Sequence, residues 1–169
     1  MNNYTIFSTK MGWMGVVGSH AGLKRITLPQ ASAEAVRQQL GDLLQSAAQD
    51  DQAFSDLAAR IKRYFQGQPV DFSDALRIDS ASPFYRAVWQ TTRSIPYGET
   101  RSYAWVAQQI GRPRASRAVG RALGRNPLPI VVPCHRVVGS DGGLCGFGGG
   151  LEMKRRLLEL ESRRRVAVA

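Results

Sequence analysis

Pro133, Cys134, His135 and Arg136 follow one another in this chain. They set a thiol, an imidazole and a guanidinium directly behind a residue that has no N–H to donate. A thiol beside a base is equipment for nucleophilic attack, because the thiolate is the reactive form and an imidazole can take the proton the sulfur gives up. A lone cysteine in apolar surroundings is more often inert filler. Three features count against that here: Pro133 fixes the chain direction just before the sulfur, His135 offers a base, and the arginines nearby favour thiolate over thiol.

A third group comes from the end of the chain. Lys154, Leu157, Leu158 and Glu161 fall at i, i+3, i+4 and i+7, so they share one face of a helix and Glu161 points inward, with Glu159 on the opposite face. An inward carboxylate is costly unless paired. His135 is the histidine near the site in sequence, so a Glu161–His135 hydrogen bond is expected, orienting the ring and raising its basicity. Cysteine, histidine and carboxylate also describe thiol hydrolases. There, however, the histidine usually comes from elsewhere in the chain, whereas here it adjoins the cysteine. Metal binding finds no support, because Cys134 and Cys145 lack CxxC spacing and His20 and His135 lie far apart. The glycines between Gly146 and Gly150 lack the Lys-Ser/Thr of a phosphate-cradling loop.

The elements that must position these groups follow from periodicity. Beta-type runs at Tyr4–Phe7, Trp13–Val17 and Leu23–Leu28, punctuated by Gly12, Gly18 and Gly22, predict a small antiparallel sheet. Helical spacing follows twice: Val36, Leu40, Leu43, Leu44 and Ala47 behind a Ser32 cap, then Phe54, Leu57, Ala58, Ile61 and Phe65 up to Gly67. The expected organisation is an α/β domain over residues 1–67, a connection over 68–82, a mainly helical domain over 83–162 and a basic tail over 163–169. In the helical domain Ser82-Pro83 opens a helix with Phe84, Val88, Trp89 and Thr92 on its apolar face. Ser102 caps a short helix, Tyr103–Ile110; Gly111-Arg112-Pro113 breaks it; and Ala115–Leu123 forms a second short helix ending at Gly124. That is a helix-turn-helix pattern. Ile130-Val131-Val132 reads as a buried strand leading to Pro133.

Charge points to the partner. Residues 1–82 hold 8 basic and 8 acidic side chains and residues 83–169 hold 15 and 5, so all of the net +10 lies in the second part. Seven arginines and no acid fall between Arg101 and Arg136, the footprint of a surface that meets phosphates rather than of an evenly solvated face. The second helix of the pair carries Arg117 and Arg121 among Ala115, Ser116, Ala118, Gly120 and Ala122, so its backbone can approach a groove closely. No signal-like stretch and no spanning apolar run is present, which gives the expectation of a soluble, cytoplasmic protein with no membrane partner.

Pro-Cys-His-Arg-Val at 133–137, preceded by Arg-Ala-Val-Gly at 117–120 and Arg-Asn-Pro at 125–127, and followed by Gly-Phe-Gly-Gly-Gly-Leu at 146–151, resembles the O6-alkylguanine-DNA alkyltransferases closely over residues 83–161. The resemblance implies a ribonuclease-H-like N-terminal α/β domain, a helical C-terminal domain with a helix-turn-helix, and no cofactor. It implies direct reversal of O6-alkylguanine, with O4-alkylthymine as a second substrate, by one irreversible transfer to Cys134. His135 would act as base through a water, Glu161 would hold His135, and Asn126 would brace the turn beneath the cysteine. Tyr103 would give a proton to the leaving purine, and Arg117 would replace the extruded base, in keeping with base flipping. The helix of Ala115, Ser116, Arg117, Ala118, Gly120 and Arg121 would lie in the minor groove of double-stranded DNA, with Arg136 also toward the duplex. Tyr103, Val137, Phe147 and Gly148 would line the base pocket. The protein would act as a monomer, a form compatible with cooperative occupation of DNA.

Phe147 stands where the family often has tyrosine and Gly148 where some members have serine, and this removal of bulk gives the expectation that the pocket admits larger alkyl groups. Cys145 is not a family cysteine and reads as packing. The alternative within the same resemblance is a noncatalytic, alkyltransferase-like protein that only binds damaged DNA. Those proteins lack the cysteine that this chain has.

Overall fold

The computed structural model describes residues 1–78, 80–144 and 149–168, of which 163–168 are described by backbone alone. The chain divides into two compact units, Met1–Ile78 and Asp79–Ala169.

In the first unit β1 (Asn2–Thr9), β2 (Gly12–Ser19) and β3 (Gly22–Ile26) form an antiparallel meander. The sheet is mixed rather than purely antiparallel, because a fourth strand, β4 (Ala47–Gln49), pairs parallel to β1 and gives the order β3-β2-β1-β4. The apolar spacing of Leu43, Leu44 and Ala47 predicts more helix here. Instead α1 (Ala33–Leu40) stops at Gly41, whose φ of 52° ends the helix, and a 3₁₀ turn, Gly41–Ser46, leads into β4. Glycine enters the left-handed region without the Cβ penalty, which makes it the common helix stop.

α1 packs Val36 and Leu40 with Val17 against Tyr4 and Ile6 of β1. The ammonium of Lys62 on α2 (Ser55–Phe65) lies over the Phe7 ring. Residues 6 and 7 of a strand point to opposite faces, so the two helices cover the two faces of the sheet. The segment after Gly67 is more than a connection, since Leu23 N–H donates to Ala75 and Arg77 N–H donates to Leu23, lining the edge of β3.

The second unit is mainly helical. α3 (Pro83–Arg93) starts at Ser82, whose hydroxyl accepts the Tyr85 N–H, and α4 (Tyr103–Gln109) at Ser102, which accepts the Trp105 N–H. Both caps satisfy N–H groups that the first helical turn leaves open. α5 (Ser116–Gly124) completes the helix-turn-helix. A two-residue strand, β5 (Arg101–Ser102), pairs parallel with β6 (Val137–Val138). α6 runs Leu151–Val168, so it continues as helix through the stretch expected to be a basic tail.

Candidate active site

Between α5 and β6 the chain forms the turn that leads to Cys134. The β-branched run at Ile130–Val132 reads as a strand, but the structure closes it into a turn: Val132 N–H donates to Leu128 O at 2.8 Å, and only an isolated bridge joins Pro129 and Val132. Asn126 explains the difference. Its Oδ1 accepts the Leu128 N–H at 2.9 Å and its Nδ2 donates to Val132 O at 2.9 Å, replacing the ladder bonds a strand would make. Ile130, at the apex, is 2 % exposed with φ 75°, a left-handed conformation that costs a β-branched residue about 1–2 kcal/mol.

The turn delivers Cys134 into a single 3₁₀ turn, Cys134–Arg136, in which thiol, imidazole and guanidinium are all buried. The same Asn126 Nδ2 lies 3.2 Å from Cys134 Sγ as a donor. Burial pushes the thiol up from its ordinary value; the Asn126 bond and the charge of Lys154 oppose this without overcoming it. The resting sulfur is therefore a thiol, and the charge that favours its thiolate comes from Lys154 rather than from the arginines expected to do so.

Glu161 points inward as its helical spacing requires, and is 1 % exposed. Its Oε2 meets His135 Nε2 at 2.5 Å. Arg136 donates to Oε1 from Nε at 2.8 Å and to Oε2 from Nη2 at 3.3 Å. The Gly98 N–H, turned inward by a φ of 80°, donates to Oε1 at 3.0 Å. Burial alone would raise the Glu161 carboxyl, but the His135 bond and the Arg136 charge hold it at about 2. Burial also lowers the His135 imidazole, more than Glu161 raises it. At neutral pH the site thus holds a thiol, a neutral ring and a carboxylate, with Arg136 as its standing counter-charge. With Nε2 committed to Glu161, Nδ1 is the nitrogen that carries the lone pair.

Arg136, expected toward the duplex, turns inward instead. It is 7 % exposed, its Nη1 donates to Ile95 O at 2.7 Å, and the guanidinium lies over the Tyr97 ring. A charge so paired and buried anchors Glu161 and presents nothing to a phosphate.

Lys154 is the functional residue that sequence reasoning passes over. It is 1 % exposed, donates to Val137 O at 2.6 Å, and reaches the Tyr103 hydroxyl at 3.4 Å with its ammonium over that ring. Lysine on an inward face is its one sequence signal. Tyr103, first residue of α4, and Val137, which is fully buried, therefore meet around one ammonium. A Cβ on Gly120 would sit 3.8 Å from the Tyr103 ring, so the small residues of α5 let that ring lie against the helix. Arg117 and Arg121 are exposed one turn apart, while Ala122, counted among the small residues that let the helix approach a groove, is buried. Ala115, Ser116 and Ala118 are half-buried. Phe147 and Gly148, with Cys145, lie outside the described residues.

No group of three or more metal-ligating side chains occurs among the described residues, and no described helix is long and apolar enough to cross a membrane.

A family model described as 6-O-methylguanine DNA methyltransferase, DNA binding domain, matches residues 83–163, and one described as the ribonuclease-like domain of the same protein matches residues 2–79. The methylated-DNA–protein-cysteine methyltransferase of Methanosarcina acetivorans is 37 % identical over 158 residues, 94 % of this chain and 97 % of its own. That of Mycolicibacterium paratuberculosis is 50 % identical over 115 residues, 68 % of this chain and 69 % of its own. The crystal structure of Mycobacterium tuberculosis OGT in complex with DNA superposes with a TM-score of 0.79 at 39 % identity, covering 96 % of this chain and 94 % of that one. With both halves matched and a relative similar along nearly its whole length, the chain belongs to the 6-O-methylguanine DNA methyltransferase family, a ribonuclease-like α/β domain followed by a helical DNA-binding domain.

Proposed function

We propose that this protein repairs DNA by moving an alkyl group from O6 of a flipped-out guanine, and from O4 of thymine, onto Sγ of Cys134. The alkyl transfer itself follows from family membership; the residue roles are our reading. The observation that carries it is the chain of contacts Asn126–Cys134 and His135–Glu161–Arg136 around one buried sulfur. A noncatalytic damage-binding protein would have no use for it.

Since the resting sulfur is a thiol, deprotonation belongs to the reaction. His135 Nδ1 takes the thiol proton through a water, Glu161 stabilises the imidazolium that forms, and Asn126 and Lys154 favour the thiolate. The Sγ–C bond forms as the O6–C bond breaks. Tyr103, its hydroxyl beside the Lys154 ammonium, gives its proton to the departing purine and regains one from the imidazolium by way of solvent. The products are guanine and a thioether, which neither water nor His135 readily cleaves, so each molecule acts once and no cofactor is needed. Arg117 fills the space left by the extruded base, and α5 follows the minor groove of the duplex. The reading carries with it a cytoplasmic monomer.

Incubation with a duplex containing O6-methylguanine, followed by intact-mass analysis and peptide mapping, tests this. One methyl on Cys134, absent in Cys134→Ser, is the expected result. Multiple turnovers, or label at Cys145 alone, would overturn it.

A further inference from the structure

We propose that the indole N–H of Trp89 is a positioning group for duplex-borne substrate: it fixes the pose of α5 and so the geometry in which DNA presents an alkylated base to Cys134. The inference rests on the reading of α5 as the helix that meets the duplex.

Trp89 lies on α3, 4 % exposed, and its Nε1 donates to the carbonyl oxygen of Ala122 at 2.8 Å. Carbonyls in the last turn of a helix have no donor within that helix. Ala122 O receives the Arg125 N–H at 3.2 Å from the chain just beyond α5, and Trp89 from another helix. The buried face of α5 is otherwise Val119, Ala122 and Leu123, apolar contacts that are not directional and leave rotation and sliding soft. One short hydrogen bond to a single carbonyl fixes both, and with them the direction of Arg117 and Arg121 on the outer face.

The pose of α5 matters to the sulfur because the two are contiguous. Asn126 N–H donates to Leu123 O at 3.2 Å, and the Asn126 side chain holds Cys134 Sγ. Just past α3, the carbonyl of Ile95 holds Arg136, which grips Glu161. α3 and the residues just after it therefore anchor the DNA-facing helix through Trp89 and the proton-handling pair through Ile95, and so set one against the other. Loss of the indole bond would move the arginines relative to the sulfur, whose donor Asn126 keeps its side-chain bonds to Val132 O and Leu128 N–H in the turn beyond α5.

The test uses the full chain as Trp89→Phe and, should phenylalanine fill the space poorly, with Trp89 replaced by benzothienylalanine, which keeps the shape and lacks the N–H. Two rates are read: single-turnover methyl transfer from an O6-methylguanine duplex, and carboxamidomethylation of Cys134 by iodoacetamide without DNA, followed by peptide mapping. The expected result is a fall of about five- to ten-fold in duplex transfer with the iodoacetamide rate held within about two-fold. Unchanged duplex transfer, or an equal fall in both rates, would overturn the proposal, the second because it marks general loosening. Arg121→Ala separates the inference from the reading beneath it. If that variant transfers from duplex at the wild-type rate, α5 does not meet the DNA and both fall. If it is slow while the Trp89 variants are not, only the role of Trp89 falls.

Discussion

Asn126 Nδ2 lies 3.2 Å from Sγ of Cys134 and 2.9 Å from the carbonyl oxygen of Val132, so one amide group both shapes the acceptor turn and solvates the sulfur. A donor on sulfur favours thiolate over thiol, and a hydrogen bond to a charged acceptor contributes about 1.5–3 kcal/mol. Asn126→Ala is expected to slow methyl transfer by about ten- to a hundred-fold. Asn126→Asp should be slower still, because it replaces the donor with a like charge facing the thiolate. Single-turnover transfer from an O6-methylguanine duplex checks both. An aspartate variant faster than the alanine variant would contradict the electrostatic role.

The arginines of the second unit divide by burial, and mutation should divide them in the same way. Arg136→Leu leaves the Glu161 carboxylate buried without its main cation, and removing one partner of such a pair costs about 3–5 kcal/mol of stability. Arg117→Ala and Arg121→Ala change exposed side chains, so urea unfolding should shift by less than about 0.5 kcal/mol. Their effect should appear in binding, with the slope of log K against log salt reduced by about 0.9 for each phosphate left without its cation. Fluorescence anisotropy at several salt concentrations, beside urea titrations, reads both effects. An Arg136 variant that stays stable but loses duplex affinity would return that residue to the DNA surface.

Acid should unfold the protein in two stages. Burial lowers the His135 ring below its ordinary 6.5, so as pH falls through that value the unfolded chain takes a proton that the native ring refuses. Stability drops from there downward. Glu161 is held at about 2 against an ordinary 4.5. Its contribution is whole above 4.5 and is lost as pH falls toward 2. Urea midpoints from about pH 8 to about pH 3 should show both declines, and His135→Asn should remove the first. Stability that stays flat on crossing 6.5 would mean that the native ring takes its proton at the ordinary value and burial does not lower it.

The parts of this site legible in the sequence are those encoded over short range. Cys134 and His135 adjoin, Glu161 is reached by helical spacing from Leu157, and Ser82 and Ser102 announce the helices they cap. Arg136 is misread from sequence because its partners, Ile95 and Glu161, lie 41 and 25 residues away. No local pattern separates an inward arginine from its exposed neighbours. Helical spacing puts Lys154 on the inward face, but a buried ammonium is tolerable only beside Val137 O and Tyr103, which the fold alone supplies. β4 is hidden for the opposite reason: Leu43, Leu44 and Ala47 keep a helical spacing across Gly41, and the sign of one φ decides against it. At Ile130–Val132 composition favours a strand, and the Asn126 side chain takes the place of the ladder.

Ile130 offers the sharpest test of that turn. Glycine ordinarily destabilises a position by about 0.5–1 kcal/mol relative to alanine. At φ 75° the order should invert, since alanine keeps the left-handed penalty and glycine sheds it. Both variants lose a side chain that is 2 % exposed, so both should be less stable than the parent, with Ile130→Gly the more stable of the two by about 1 kcal/mol in urea unfolding. Transfer should rank the other way. A glycine at the apex frees the turn that holds Val132 O before Asn126, and the sulfur loses its fixed donor. The glycine variant should therefore be the more stable and the slower with duplex substrate. If alanine proves equal or superior in stability, the backbone at 130 carries no strain and the turn is set by Asn126 alone.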